Sequence, residues 1–251
     1  MLILEARAMG IFDRDILQVR ELLGQVASKR GCKEWRVSEI NPWPGGKGNL
    51  HIPASDTSVE LGPPELPSIL MTLITDNPGS VQDGLINLMG SDIDDLAGRK
   101  APLAKIFFIE ASGLAEEDLW DFYLGVNLAR LDVSLWGYMT RASSGMRREW
   151  CRISRDALKK GLSIAHIGAA EIACVKRLPS VTAAEMAALA SSREDASAFA
   201  EVASKVDRVA SALCKLSNEI LHDCETCRFS DLCPTLPSLT RLRESKKKGA
   251  L

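Results

Sequence analysis

The sequence predicts an α+β fold, with a mixed or antiparallel sheet in the N-terminal half packed with helices and a helical C-terminal half that ends in a metal-binding cysteine loop. Four short β-prone runs lie between residues 57 and 110, and helical periodicity dominates after residue 110. The two patterns do not alternate as regular βαβ units, which argues against a doubly wound sheet. We therefore predict an α+β domain over residues 1–178, a helical segment with a C-terminal cysteine cluster over residues 179–243, and a flexible tail over residues 244–251.

The N-terminal half is predicted to begin with a strand and a helix. Residues 1–8 form a short apolar run, and from Asp13 apolar residues recur at helical spacing until Gly31. A loop rich in proline and glycine follows over residues 42–48. The predicted sheet strands are residues 57–61, 68–75, 84–89 and 103–110.

The C-terminal half is predicted to be helical. Ser112 is a candidate N-cap, and three acidic residues and an apolar stripe beginning at Leu119 follow it. The alanine-rich stretches 182–192 and 194–221 are both predicted as helices. The second of them runs directly into the cysteine-rich segment.

The composition is typical of a folded globular protein, since 46% of the 251 residues are hydrophobic and 25% are charged. A net charge of −2 argues against nucleic-acid binding, which needs a concentrated positive face. The N-terminus does not resemble a signal peptide and no apolar stretch reaches transmembrane length, so we expect a cytoplasmic protein without a membrane partner. In that compartment the seven cysteines are expected to bind metal or to be buried as thiols.

Three cysteines near the C-terminus form a candidate metal site. Cys224, Cys227 and Cys233 lie within ten residues, and the two-residue spacer allows one turn to direct two sulfurs at the same ion or cluster. The residues around them are polar, which indicates an exposed loop where unligated thiols would be reactive. The alternative is three buried cysteines that act as small apolar side chains.

The metal and its fourth ligand stay open on the sequence. Zinc sites usually combine two separated ligand pairs, and the sequence has a single Cys-x2-Cys. A spacing of two and then five residues before Pro234 is more typical of a [4Fe–4S] cluster, so we expect that cluster, with zinc as the alternative. Cys214 is the favoured fourth ligand, and the other candidates are His222, Cys151 and Cys174.

A second candidate site is the basic segment 130–155. It contains six arginines and two tryptophans, with Asp132 and Glu149 as its only acidic residues. Guanidinium groups form bidentate pairs with phosphate oxygens and an indole can stack on a purine, so a nucleotide-like anion such as coenzyme A is a candidate ligand. The alternative is a charged surface on which the tryptophans cover part of the core.

Four sequence blocks together resemble a known family. They are Gly84-Leu-Ile-Asn-Leu-Met-Gly-Ser-Asp-Ile-Asp-Asp, Ala101-Pro-Leu-Ala-Lys, Leu135-Trp136 and Glu149-Trp-Cys-Arg-Ile-Ser-Arg-Asp-Ala-Leu-Lys-Lys-Gly161. In this order they resemble the middle domain of acetyl-CoA synthase, the beta subunit of the CO dehydrogenase/acetyl-CoA synthase complex. The resemblance implies an α+β domain and a coenzyme A site, in which Trp136 matches the family's tryptophan and Arg141, Arg147 and Arg148 are nearby basic residues.

The sequence also departs from that family. It has no Cys-Gly-Cys, the motif that binds the family's distal nickel, its cysteines are more closely spaced, and the family's N-terminal region has no counterpart. The resemblance therefore implies a shortened relative that acts in anaerobic one-carbon metabolism and binds an iron–sulfur cluster. It is also expected to bind either coenzyme A or a corrinoid or other one-carbon protein. CO dehydrogenase is an expected partner. Two alternatives stay open. One is an iron–sulfur electron-transfer or redox-sensing protein, and the other is an acetyl-CoA synthase-type acyltransferase subunit whose metal site a partner completes.

Overall fold

The computed structural model describes residues 10–44, 51–143, 147–190, 192–218, 231–232 and 235–249. The helices are α1 (Asp13–Arg30), α2 (Leu119–Leu131), α3 (Arg155–Lys159), α4 (Ile164–Val175), α5 (Arg193–Ser197), α6 (Ala200–Asn218) and α7 (Pro237–Gly249). The strands are β1 (Cys32–Arg36), β2 (Thr57–Leu61), β3 (Ser68–Thr75), β4 (Leu85–Gly90), β5 (Lys100–Ala101), β6 (Leu103–Ala111), β7 (Tyr138–Ser143), β8 (Arg148–Ser154) and β9 (Val181–Ala190). The predicted α+β class is confirmed.

The strands form two mixed sheets. The five-stranded sheet has the order β1-β4-β9-β6-β3, and its β4–β9 and β6–β3 pairs are parallel. The four-stranded sheet has the order β5-β2-β8-β7, in which only β5 and β2 run parallel. The two sheets meet where β3 lies beside the start of β8, because the amide of Leu70 donates to the carbonyl of Arg147 over 2.8 Å.

Helices cover both faces of the five-stranded sheet. On β6, Lys105 contacts Glu171 of α4, whereas Phe108 lies 4.4 Å below the guanidinium of Arg20 from α1. Side chains three residues apart on a strand point to opposite faces, so α4 and α1 lie on opposite sides of the sheet. Helix α2 shares the side of α4, and α6 lies along β3 in contact with both α1 and α2. Burial on both faces explains why β6 is an almost continuous apolar run.

Most of the predicted N-terminal elements are confirmed. Helix α1 occupies the stretch predicted from Asp13, and β2, β3, β4 and β6 coincide with the four predicted strands to within one residue at each end. Helix α2 begins at Leu119 after a short 3-10 turn, so Ser112 is not its N-cap. The strand predicted for residues 1–8 lies outside the described residues.

The prediction of a helix over residues 182–192 is wrong. Val181–Ala190 is β9, which lies in the middle of the five-stranded sheet and pairs with β4 and β6. Its alanines favour a helix in isolation, but pairing on both sides overrides that weak preference. Helix α4 also packs closely on β9, since a Cβ atom at Gly168 of α4 would lie 2.4 Å from the side chain of Met186. Small side chains along the strand allow this close packing. The C-terminal half therefore supplies three strands, including β7 and β8.

The last part of the described chain is helical. The helix predicted over 194–221 is divided into α5 and α6, and α7 extends through Gly249 into the stretch for which the sequence predicts a flexible tail. Among the described residues, no helix is both long enough and apolar enough to cross a membrane.

Candidate functional site

The three cysteines of the predicted metal site lie outside the part of the chain that the structure describes, and so does His222. Of the favoured ligands only Cys214 is described, and its half-buried side chain lies in the last turns of α6. Within the described residues, no three His, Cys, Asp or Glu side chains are grouped so that they could hold a metal ion. The structure therefore locates one of the four predicted ligands.

One end of the cysteine-rich segment is bonded to α6 through a residue that the structure describes. The segment, residues 224–233, follows α6 in the sequence, and Asp231, which lies between Cys227 and Cys233, accepts two hydrogen bonds from Arg208 of α6 over 2.8 and 2.7 Å. Leu232 is buried in the core, and its carbonyl accepts a hydrogen bond from the hydroxyl of Thr235 over 2.8 Å. The chain thus returns to the helix that carries Cys214. On that helix, Cys214 follows Arg208 by six residues, or about 9 Å of helix axis.

The other two candidate ligands among the described cysteines have different surroundings. Cys151 is buried on β8, and its Sγ lies 3.0 Å from Oε1 of Glu149 and 3.2 Å from Oη of Tyr138. Burial and the neighbouring Glu149 raise the pKa of the Cys151 thiol well above its ordinary value. Cys174 is also buried, and burial raises its pKa as well. In both cases burial favours the neutral thiol over the thiolate, the form that binds metal.

Trp136 lies in an aromatic group next to a lysine. Its ring stacks on Trp43 with the centroids 6.4 Å apart, and the indole nitrogen of Trp43 donates to the carbonyl of Trp136 over 3.0 Å. Nζ of Lys160 lies 4.3 Å from the centre of the Trp136 ring. The ring of His166 lies 5.1 Å from that of Trp43. The half-buried Trp136 therefore presents an aromatic surface with a cation beside it.

The three predicted arginines lie around β7 and β8. Arg141 is exposed on β7, Arg148 is the first residue of β8, and Arg147 directly precedes that strand. Arg147 forms an ion pair with Asp207 of α6, and Nη2 of Arg148 donates to the carbonyl of Leu66 over 2.7 Å. Arg147 and Arg148 line a cavity together with Cys214, and neither Trp136 nor Arg141 belongs to its lining.

This cavity has a volume of about 590 Å³ and lies between β3, α2 and α6. Its wall includes two buried polar residues, Ser68 and Asn127. The hydroxyl of Ser68 donates to the carbonyl of Glu149 over 2.6 Å, and Oδ1 of Asn127 accepts from Arg130 over 2.7 Å. The cavity wall is therefore connected to charged residues in the core.

Those charged residues form a buried cluster around Lys105, which is not among the sites predicted from the sequence. Nζ of Lys105 donates to Oε1 of Glu149 over 2.7 Å and to Oε1 of Glu171 over 2.6 Å. The three side chains are each 2% exposed. They come from β6, β8 and α4, so the cluster links both sheets to a helix. The sequence signal for this cluster was a lysine near the start of a mostly apolar strand.

The two carboxylates of the cluster have unequal surroundings. Oε1 of Glu149 also accepts hydrogen bonds from Tyr138 over 3.0 Å and from Thr140 over 2.8 Å. Glu171 has Lys105 as its partner, and its buried Oε2 has no hydrogen-bond partner among the described residues. Hydrogen bonds to a carboxylate favour its ionised form, so Glu149 is the ionised member of the pair.

The pKa values of the cluster follow from this asymmetry. Burial alone would raise the pKa of Glu149, but the charge of Lys105 and the hydrogen bonds outweigh it and lower the pKa to about 2. Burial raises the pKa of Glu171 to about 7, because Lys105 is shared with the ionised Glu149. Burial would lower the pKa of Lys105, but the two carboxylates raise it well above its ordinary value. Lys105 is therefore charged, and Glu171 titrates near neutral pH.

Arg130 completes the buried charges. Its guanidinium lies 5.3 Å from the centre of the Phe107 ring, and it is 1% exposed. Nη2 donates to Asn127, whereas Nε and Nη1 have no hydrogen-bond partner among the described residues. Neither Lys105, Glu149 nor Glu171 lines the cavity described above. We therefore assign the cluster to the framework that holds β6, β8 and α4 together.

A comparison with protein families gives a match. The family model described as CO dehydrogenase/acetyl-CoA synthase complex beta subunit matches residues 48–184, which is more than half of the chain. The matched range contains the buried cluster, Trp136 and the three predicted arginines, and it ends before Cys214. A search of curated proteins found no match.

Proposed function

The chain belongs to the family of the CO dehydrogenase/acetyl-CoA synthase complex beta subunit, and we propose that it is a binding module. It holds an iron–sulfur cluster. Its second ligand is either coenzyme A or a partner protein, which is a corrinoid protein or another one-carbon protein. The observation that carries the proposal is the position of Cys214. It lies on the helix that precedes the cysteine-rich segment in the sequence, and Arg208 of the same helix binds Asp231, which lies between Cys227 and Cys233. One helix therefore contributes a thiol and anchors the segment that contributes three more.

The proposed ligands are Cys224, Cys227 and Cys233 together with Cys214. Four cysteine thiolates are the usual ligand set of a [4Fe–4S] cluster, and such a cluster supplies one-electron transfer when it is bound. The described alternatives fit less well, because burial raises the pKa values of both Cys151 and Cys174. Arg148 lies in the cavity wall with Cys214, where its positive charge favours a negatively charged metal site.

We propose that Trp136 contacts coenzyme A, with Arg141, Arg147 and Arg148 as the basic residues of the surrounding surface. The half-buried Trp136 ring offers a stacking surface for a purine, and Lys160 adds a cation 4.3 Å from the ring centre. CO dehydrogenase, or a corrinoid or other one-carbon protein, is the proposed protein partner because the family is that of a complex subunit.

Metal analysis tests the first part of the proposal. Protein purified without oxygen is expected to contain iron and acid-labile sulfide in about equal amounts, as in a [4Fe–4S] cluster. Stoichiometric zinc without sulfide would overturn the iron–sulfur assignment.

Calorimetry with coenzyme A tests the second part. Wild-type protein is expected to bind coenzyme A, and Trp136→Ala is expected to bind it weakly or not at all. Trp150→Ala is the matched control, because Trp150 is a tryptophan of the same segment whose indole donates to Glu60 over 2.7 Å. If neither wild-type protein nor Trp136→Ala binds coenzyme A, the assignment of coenzyme A as the ligand is overturned.

A further inference from the structure

The cavity between β3, α2 and α6 has the size and lining of a small-molecule site. Its volume of about 590 Å³ falls within the range of small-molecule pockets. Residues Ser68–Met71 of β3 form one wall, and α2 and α6 form the others. The gap between α6 and α2 is left open because several of the α6 residues that line it are small. These residues are Ala203, Ser204, Ala210 and Ser211.

Most of the cavity wall is apolar. Trp120 and Tyr123 of α2 stack with their ring centroids 6.1 Å apart, and both line the cavity. Leu124 lies beside them, and Met71 and Val206 contribute from the strand and from α6. Such a wall favours a ligand with a hydrocarbon body, because its binding removes apolar surface from water.

The polar part of the wall carries a net positive charge. Arg147 is neutralised by its ion pair with Asp207. Within the described part of the chain, no carboxylate forms an ion pair with Arg148. Nη2 of Arg148 is held by the carbonyl oxygens of Leu66 and Pro64 over 2.7 and 3.3 Å, which fix the position of the guanidinium. The cavity thus offers one oriented positive charge at its wall.

We propose that this cavity binds an amphipathic monoanion, a carboxylate attached to a hydrocarbon chain, with the carboxylate on Arg148 and the chain against Trp120, Tyr123 and Leu124. A carboxylate pairs with a guanidinium in geometry and charge. A neutral ligand would leave the charge of Arg148 unpaired, and a cationic ligand would be repelled by it. The inference rests on the lining of the cavity itself, which shares Cys214 with the proposed metal site and Arg148 with the proposed coenzyme A surface.

A ligand series on the wild-type protein tests the proposal without any substitution. Calorimetry is carried out with decanoate and decylamine below their micelle concentrations and with decanol below its solubility limit. Decanoate is expected to bind at least ten times more tightly than either of the others, since they share its chain and lack its negative charge. Equal binding of decanoate and decanol, or no binding of decanoate, overturns the proposal.

Two variants locate the site. Arg148→Met keeps a side chain of similar length and removes the charge, so it is expected to weaken decanoate binding by about 10- to 100-fold while leaving decanol binding unchanged. Ala203→Trp is expected to block both ligands by filling the cavity. Arg155→Met, an exposed arginine of α3 outside the cavity lining, is the control. Decanoate binding that Arg148→Met leaves unchanged also overturns the proposal, and circular dichroism verifies that each variant is folded.

Discussion

Lys105 of the five-stranded sheet and Glu149 of the four-stranded sheet form an ion pair of 2.7 Å in which each side chain is only 2% exposed. Burying two charges costs several kcal/mol, and the pair offsets that cost only because further hydrogen bonds satisfy it. Tyr138 and Thr140 supply such bonds to Glu149, and Glu171 accepts a second bond from Lys105. The position of one sheet relative to the other therefore depends on a small set of polar side chains.

Removing the shared cation is expected to destabilise the protein strongly. Lys105→Met leaves buried carboxylates without their counter-charge, and breaking a buried pair in this way costs about 3–5 kcal/mol of unfolding free energy. Urea unfolding measures the loss. The control is Lys159→Met, since Lys159 pairs with Asp156 on the surface, where the two side chains are 76% and 70% exposed. A loss in Lys105→Met no larger than that in Lys159→Met would contradict the account of the cluster.

Glu171 is expected to make stability depend on pH near neutrality. Its pKa is about 7 in the folded protein against an ordinary value of 4.5, so the folded state keeps a proton that the unfolded chain releases. The stability that this group contributes is therefore fully present below about pH 4.5 and is lost as pH rises through about 7. Glu149 acts in the opposite direction, and its contribution is lost as pH falls from 4.5 towards 2.

The substitution that isolates this effect is Glu171→Gln, which keeps an oxygen for Lys105 and cannot ionise. The unfolding free energy of the variant minus that of wild type is expected to rise with pH between about 4.5 and 7. Over this range the wild-type protein loses the stability that Glu171 contributes, and the variant has no such loss. Urea unfolding at several pH values measures the difference. Glu201→Gln, on the exposed side of α6, is expected to follow wild type at every pH. Parallel curves for wild type and Glu171→Gln would show that Glu171 does not titrate in this range.

Gly62 is expected to be intolerant of any side chain. It has a φ of +62°, and a Cβ atom there would collide with the carbonyl oxygen of Glu149 and approach Oγ of Ser68 to 2.8 Å. Gly113 has a similar φ of +72°, but a Cβ atom there would meet nothing within 4 Å. Gly113→Ala should therefore cost about 1 kcal/mol of backbone strain, and Gly62→Ala roughly 1–3 kcal/mol more from the collision. Thermal unfolding of the two variants compares them, and equal losses would contradict the close packing against Glu149.

The strands of the N-terminal half could be predicted from the sequence because their apolar residues occur in short runs. Ile69–Thr75 and Leu103–Ala111 contain few polar residues, as expected for strands with both faces covered. β9 could not be predicted in the same way. Its alanines favour a helix locally, and only its two neighbours in the sheet, β4 and β6, determine that it is a strand.

Among the candidate sites, too, those formed by residues close in sequence could be predicted, and those formed by distant residues could not. A cysteine spacing is local and is visible in the sequence, whereas the buried cluster joins residues 44 and 66 positions apart. Each of its charges could equally lie on the surface, so nothing local marks Glu149 or Glu171 as buried. The cavity could likewise not be predicted from the sequence, because its wall combines β3, α2 and α6, which only tertiary packing brings together.

Iron and acid-labile sulfide per chain, measured in anaerobically purified cysteine variants, test the central claim most directly. Cys227→Ser and Cys214→Ser are expected to lose most of both elements, because one removes a ligand of the cysteine-rich segment and the other the thiol that α6 contributes. Cys174→Ser is the control and should keep the wild-type content, since that thiol is buried at the end of α4. Wild-type content in Cys227→Ser, or a wild-type protein that holds zinc without sulfide, would contradict the proposed cluster.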